Sequence, residues 1–422
     1  MRDILVSIII FGSLPFILKR TYIGIIMWAW ISYMNPHRLG WGFAYNFPFA
    51  YIVALVTLFS FLFNRDVKAY AFYGLTYIWF FFLFWMGLTT FFSIDSAGAM
   101  TQLIKVAKIQ LFSILSLWLL NDFDRLRKFI WVVVLSFAYF GVKGGVFTLV
   151  NGGQFIVWGP PKSFIEGNNE LALALLVIIP LMNFLRVDSK NKLVKKLLLV
   201  SMVLMGVSSL GSQSRGAFLA GGAMLLFFWS KSKNKLVTGF ASLIFVVAVI
   251  SFMPDSWHQR MDTMDTYEED GSAMGRINAW YAAFYLAKDR FLGGGFDGIN
   301  KSYVFQRYAP DPSDYHDAHS IYFEVLGDHG FIGLGVFLLM AISVWFMASR
   351  VIKDTEKIAE LYNINVLAKM TQVSLIAFLT GGAFLGLAYF DLYYHLIVIT
   401  LLCRYFTDQY LSSKQSNSVN LE

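Results

Sequence analysis

Residues 72–91 read FYGLTYIWFFFLFWMGLTTF, a run without one charged side chain. As a helix this run rises about 30 Å, enough to cross the hydrocarbon core of a bilayer. It has neither the polar stripe of a water-facing helix nor the strict alternation of a membrane-barrel strand. Comparable apolar runs lie at 21–34, 47–63, 101–120, 129–150, 169–185, 197–210, 215–229, 236–253, 331–349, 365–389 and 391–407. The composition agrees: 57% of the 422 residues are hydrophobic, 18% aromatic and 14% charged, with a mean hydropathy of +0.58. Soluble domains carry about a quarter charged residues, because their surfaces face water. The pattern predicts an all-α, polytopic transmembrane helical bundle of about 12 helices.

The charge pattern orients the bundle. A net charge of +7 could point to nucleic acid, but its distribution does not. The loops 64–69, 121–128, 186–196, 230–235 and 350–364 and the tail 404–422, all on one side by alternation, hold eighteen Lys and Arg. The opposite short loops hold only Arg38 and Lys162. This is the positive-inside pattern, and it puts the C-terminus in the cytoplasm. The segment 254–330 then lies outside, with thirteen acidic against six basic residues. The expected division is residues 1–253 as transmembrane helices 1–10, 254–330 as a large periplasmic loop, 331–407 as helices 11–12 and 408–422 as a cytoplasmic tail. Residues 3–17 form either a separate short helix or half of a broken first one. The single cysteine, Cys403, leaves no intrachain disulfide to form.

Loops as long as 254–330 in compact proteins usually carry function. Within it, Ile277, Trp280, Tyr281, Phe284 and Leu286 are spaced for one side of a helix that ends at Gly293-Gly294-Gly295. The spacing predicts an amphipathic helix in the outer interface. Ionisable side chains at the mouth of apolar helices are costly to hold there and so mark function by default. Arg215 heads a helix in Ser212-Gln213-Ser214-Arg215-Gly216. Arg276 opens the loop helix, and His319 lies in His316-Asp317-Ala318-His319-Ser320 just before the chain re-enters the membrane. Lys105 and Lys108 share one helix face. Lys162 and Asn168-Asn169-Glu170 border another helix on the same side, and Asp391 follows Tyr389-Phe390 at an outer turn.

A lipid pyrophosphate fits this set. Arginine forks bind phosphate oxygens bidentately and lysine adds point charge. When a glycosyl bond to pyrophosphate breaks, charge develops on the leaving group, where fixed cations stabilise the transition state most. An acceptor hydroxyl needs a base that works near neutral pH, and imidazole supplies one. Plainer readings stand beside these. Lys105 and Lys108 could simply snorkel, and Arg215 could anchor a helix end. His316, Asp317, His319 and His329 could ligate a metal, although they lack the helical pattern of zinc hydrolases. Gly293-Gly294-Gly295 follows no strand and precedes no Lys-Ser/Thr, so it is not a phosphate loop. Glu268-Glu269-Asp270 reads as a solvated loop. A secondary transporter would need midplane breaks and internal repeats, which are not evident. A polysaccharide-export scaffold would leave the polar residues incidental.

Together, Trp158-Gly159-Pro160, Asn168-Asn169-Glu170-Leu171-Ala172, Ser212 to Gly216, Gly275-Arg276-Ile277-Asn278-Ala279-Trp280, Lys288-Asp289-Arg290, Gly293-Gly294-Gly295-Phe296, His316 to Tyr322 and Gly327-Asp328-His329-Gly330 resemble the O-antigen ligase superfamily. That superfamily takes in O-antigen ligases, some O-antigen polymerases and bacterial protein O-oligosaccharyltransferases. The nearest resemblance is to the exosortase-associated O-glycosylation ligase branch. The resemblance implies a multi-pass glycosyltransferase of the bacterial inner membrane with its active site facing the periplasm. It implies inverting, metal-independent transfer of a glycan en bloc from an undecaprenyl-pyrophosphate-linked donor. The acceptor is a hydroxyl of lipid A core, another glycan or a protein; no cofactor, metal or nucleic acid is expected. The family's paired arginines fall on Arg215 and Arg276 and its catalytic histidine on His319. Lys105, Lys108, Lys162, Asn168, Asn169 and Gln213 are expected donor contacts, with His316, Asp317 and Asp391 in support. His316 lies outside the broad pattern, so it stays a rival base.

Overall fold

The computed structural model describes residues 1–64, 70, 72–262 and 271–419, and these form helices and turns with no strand among them. Ten helices come first: α1 (Arg2–Lys19), α2 (Tyr22–Met34), α3 (Phe49–Phe63), α4 (Gly74–Phe91), α5 (Ser96–Leu119), α6 (Phe123–Val150), α7 (Asn168–Asp188), α8 (Lys192–Gly211), α9 (Arg215–Lys231) and α10 (Lys235–Phe252). Then come α11 (Asp255–Asp262), α12 (Gly271–Asp289) and α13 (Ser302–Tyr308). The chain closes with α14 (Ile321–Thr355), α15 (Tyr362–Gly382) and α16 (Asp391–Val419). Among the described residues, 8 helices are long and apolar enough to cross a membrane; α2 and α3 are apolar but shorter. The chain is a multi-pass membrane protein. The acidic run Glu268-Glu269-Asp270 lies outside the described residues.

Each apolar run falls on a helix, but several ends move. α5 starts at Ser96 because the Asp95 carboxylate accepts from Gly98 N, and α6 starts at Phe123 because Asp122 accepts from Arg125 N. α14 starts at Ile321 rather than 331 and passes through a break at Gly330, where φ is 67°. Residues 331–407 run through three helices, α14, α15 and α16. Residues 3–17 belong to α1, a helix of their own. At one end Asp3 Oδ1 accepts from Gly42 N at 3.2 Å, just ahead of α3; at the other Asn64 Nδ2 donates to Lys19 O at 3.2 Å, just past α3. α1 thus runs the whole depth of α3.

At the centre is α7, buried at nearly every position from Leu171 to Leu185 and packed by α6, α8, α9 and α15. A helix apolar on all faces can be enclosed in this way without orphaning a polar group. α10, by contrast, buries only Val249 and turns Leu236, Phe240 and Ile244 outward, as a lipid-facing helix does. In lipid, close packing and interhelical hydrogen bonds hold helices together. Gly145 of α6 lies so close to α8 that a Cβ there would come 2.9 Å from Leu204 Cα. Gln372 Nε2 donates to Trp345 O at 3.0 Å and to Ser349 Oγ at 2.7 Å, tying α15 to α14.

One end of the bundle gathers the heads of α5, α7, α9, α14 and α16 with the tails of α8 and α15, and α12 lies there. Small side chains make up most of its buried face. Gly275, Asn278, Ala279, Ala282, Ala283, Leu286 and Ala287 face inward, whereas Tyr281, Phe284 and Tyr285 are exposed. Small residues let α12 close on α14, where a Cβ at Gly327 would touch Ala283 at 3.4 Å. The aromatics are left on the outward face.

Candidate functional site

His319 stands at the foot of α14, with its backbone at φ 40°, a left-handed conformation uncommon for a residue with a side chain. Its neighbours hold it there. Trp280 Nε1 donates to Ala318 O at 2.7 Å, and its ring stacks on Phe323 with centroids 5.0 Å apart. Earlier in the same segment, Asn278 of α12 donates through Nδ2 to Asp311 O at 2.8 Å and Asp314 O at 3.0 Å. Its Oδ1 accepts from Asp311 N at 2.9 Å. The imidazole of His319 is partly exposed, and its Nδ1 lies 4.0 Å from Asp317 Oδ2. His316 rests on Gly275, where a Cβ would fall 2.7 Å from its ring Cγ, so this imidazole packs on the first turns of α12. Tyr315 donates to Asn300 O at 2.6 Å, and burial, then the charge of Asp317, holds its phenol above the ordinary value.

Arg215 is the first residue of α9. Ser214 caps that helix by accepting from Ala217 N, and Gln213 turns the chain at φ 57°. The next residue, Gly216, packs against Phe384, with a Cβ position 3.0 Å from Phe384 Cβ. Two residues beyond Phe384, a Cβ at Gly386 would lie 3.6 Å from Glu324 Oε2 and 3.8 Å from Asp317 Oδ2. The 383–388 turn is therefore wedged between the head of α9 and the histidine segment.

The other expected contacts divide. Lys105 Nζ sits 4.2 Å over the Phe164 ring and lines a cavity of about 210 Å³ together with Asp317. Lys108 is exposed and not among the residues lining that cavity. Lys162, at φ 56°, is farther out, with Nζ 5.3 Å over the Tyr45 ring. Asn168 Nδ2 donates to Ser212 O at 2.8 Å and Gln213 Nε2 to Gly153 O at 3.4 Å, so these amides tie loops together. Asn169 is partly buried at the head of α7. Asp391 is buried and accepts from Ser32 Oγ at 2.7 Å. Among the described residues no group of three or more His, Cys, Asp or Glu could hold a metal.

Two glycine motifs turn out to be one joint. Gly294 N donates to Gly327 O at 2.8 Å and Gly295 N to Asp328 O at 2.9 Å, into the break at Gly330. A Cβ at Gly293 would lie 2.7 Å from Asp328 O, so only glycine fits there. His329 is fully buried beside this joint, its Nδ1 2.7 Å from Thr89 Oγ1.

Sequence reasoning missed Gln102, Asp297, Glu324, Asp328 and Tyr389, all of which line the 210 Å³ cavity. Glu324 Oε2 accepts from Ala388 N at 3.0 Å, and Tyr389 donates to Asp328 Oδ2 at 2.9 Å. Ionisable residues at helical spacing inside an apolar segment were the available signal. Lys301 pairs with Asp95 at 2.5 Å and Gln102 Nε2 donates to Asp297 Oδ2 at 2.7 Å, fixing the far wall to α5. The Lys301 ammonium, then Gly98 N–H, holds the Asp95 carboxyl below the usual carboxylate range. A second cavity, about 530 Å³ and almost wholly apolar, runs between α7, α8, α9 and α10, with Leu210, Ala217 and Phe218 at its outer end.

Residues 200–338 match the family model described as O-Antigen ligase, and residues 1–190 match one described as a family of unknown function. No curated protein matches the chain. Gln213, Arg215, Arg276, His316, Asp317, His319, Glu324 and Asp328 fall within the first match. Lys105, Lys108, Lys162, Asn168 and Asn169 fall within the second, and Asp391 in neither.

Proposed function

We propose that this chain, which belongs to the O-antigen ligase superfamily through residues 200–338, moves a glycan en bloc from undecaprenyl pyrophosphate to an acceptor hydroxyl at the periplasmic face of the inner membrane. The observation that carries the reading is the wedge of the 383–388 turn between the head of α9, which Arg215 begins, and the segment of His316 and His319, with His316 packed on Gly275, the residue before Arg276. Arg215 and Arg276 grip the pyrophosphate oxygens, and the apolar groove next to α9 offers room for a polyprenyl chain. His319 takes the acceptor proton as the hydroxyl oxygen bonds to the anomeric carbon. The bond from that carbon to the pyrophosphate oxygen breaks, and its electron pair leaves with the lipid pyrophosphate. The two guanidinium groups stabilise the charge that develops there, the role a metal ion fills in other phosphate chemistry.

Lipid A core, a second glycan and a protein hydroxyl all suit this chemistry as acceptor, so ligase, polymerase and protein-glycosylating forms differ in product rather than mechanism. Mass spectrometry of glycoconjugates from cells with and without the gene tests the reading. A glycan that moves from the lipid pyrophosphate to one acceptor only when the gene is present is the expected result. Identical glycoconjugates in the two strains, with Arg276→Ala also without effect, would overturn it.

A further inference from the structure

We infer that the 210 Å³ cavity is a subsite for one neutral, hydroxyl-rich sugar ring of the glycan substrate, an inference that rests on the transferase reading above. Its polar wall is dominated by acceptors. Asp328 is 3% exposed, Tyr389 supplies the one donor to its Oδ2, and no described residue donates to its Oδ1. This side chain lines the cavity, where a sugar hydroxyl would donate to that oxygen. Glu324 repeats the arrangement, with Oε2 held by Ala388 N and Oε1 without a described donor. The rings of Phe164, Phe296 and Tyr389 supply apolar surface for the C–H faces of a pyranose. Pockets for drug-sized ligands run to roughly 300–1,000 Å³, so a cavity of about 210 Å³ takes one ring and not an oligosaccharide.

The same wall says what is refused. Asp297 and Asp317 stand in this wall with a single cation, Lys105, so a uronate or a phosphate would meet carboxylates there. The acid-lined cavity keeps a sugar ring apart from the pyrophosphate assigned to Arg215 and Arg276. The ring belongs to the donor glycan or to the acceptor, and its chemistry is the same in either case.

The test is direct binding, which needs no turnover and so stands or falls separately from the transferase reading. The full chain, in a detergent without a sugar headgroup, is titrated with methyl glucoside, methyl galactoside, methyl N-acetylglucosaminide and methyl glucuronide by saturation-transfer NMR. At least one neutral glycoside should bind, with the glucuronide at least about tenfold weaker, and Asp328→Asn should weaken the neutral ligand by about tenfold or more. Asp317→Asn, at a half-exposed loop position, should relax the discrimination against the glucuronide. Undecaprenyl pyrophosphate carrying one N-acetylglucosamine displaces the glycoside if the ring is the donor's; no displacement assigns the cavity to the acceptor. Failure of every neutral glycoside to bind, equal binding of the glucuronide, or wild-type selectivity in Asp317→Asn would overturn the subsite.

Discussion

Replacing Asn278 with alanine should loosen the segment that carries both histidines. Asn278 is 8% exposed and makes three hydrogen bonds to that segment, two donated to Asp311 O and Asp314 O and one accepted from Asp311 N. Each contributes roughly 0.5–1.5 kcal/mol net, so losing three lowers the free energy of local opening by about 1.5–4.5 kcal/mol. At about 1.4 kcal/mol per factor of ten, the open form becomes about ten to 10³ times more populated. Hydrogen exchange over residues 309–318 should rise by that factor, because exchange tracks local opening. Exchange in α7 should stay as it is, since none of these bonds reaches that helix. Turnover should fall with the loss of order, whereas donor affinity, assigned to the arginines, should hold. Asn278→Asp sharpens the result: it keeps the acceptor for Asp311 N but points an anion at two carbonyl oxygens, so it should be as damaging as alanine. Unchanged exchange over 309–318 in folded Asn278→Ala protein would refute the clamp.

His319→Ala should lower kcat by about 10²–10⁴-fold with donor affinity little changed, the signature of a lost general base. The wild-type rate should rise with pH as an imidazole loses its proton, and this limb should vanish in His319→Ala; the same losses in His316→Ala alone would move the role to His316. Arg276→Lys should be nearly as damaging as Arg276→Ala, because lysine cannot bind two oxygens in a fork; near-wild-type turnover would mean the position supplies only charge. Transfer by purified protein should survive EDTA, since guanidinium groups take the place of a metal at the pyrophosphate; activity that returns only with Mg²⁺ or Mn²⁺ would sink that assignment. The Asp95–Lys301 bridge pulls the carboxyl down, so its stabilisation is full above the unfolded carboxylate value and is lost as pH falls through the lowered one. Exchange over residues 297–308 should therefore rise only below the usual carboxylate range, whereas Lys301→Met should raise it at neutral pH.

Hydropathy was enough to read the helices, because the bilayer tests each segment separately for length and charge. Arg215, Arg276 and His319 were singled out for a related reason: a charged or titratable group at the mouth of an apolar helix stands out against its own neighbours. Periodicity marked α12 as amphipathic through its large apolar side chains but said nothing of its inner face, where contact at Gly327 takes alanine and glycine.

The same limit explains the motifs. Gly293-Gly294-Gly295 and Gly327 to Gly330 looked like separate signals and are two halves of one joint, closed by backbone hydrogen bonds between positions more than thirty residues apart. Asn168 was expected as a donor contact, and the fold adds that its amide donates to Ser212 O. Glu324 was not singled out, and Asp328 was noted only as part of Gly327-Asp328-His329-Gly330. Their partners, Ala388 and Tyr389, come from the turn before α16, and the cavity wall opposite them comes from α5. Burial in lipid is a property of each segment and is written locally. A cavity is a property of surfaces brought together across the chain, and its lining exists only once α5, α14 and the turn before α16 have packed.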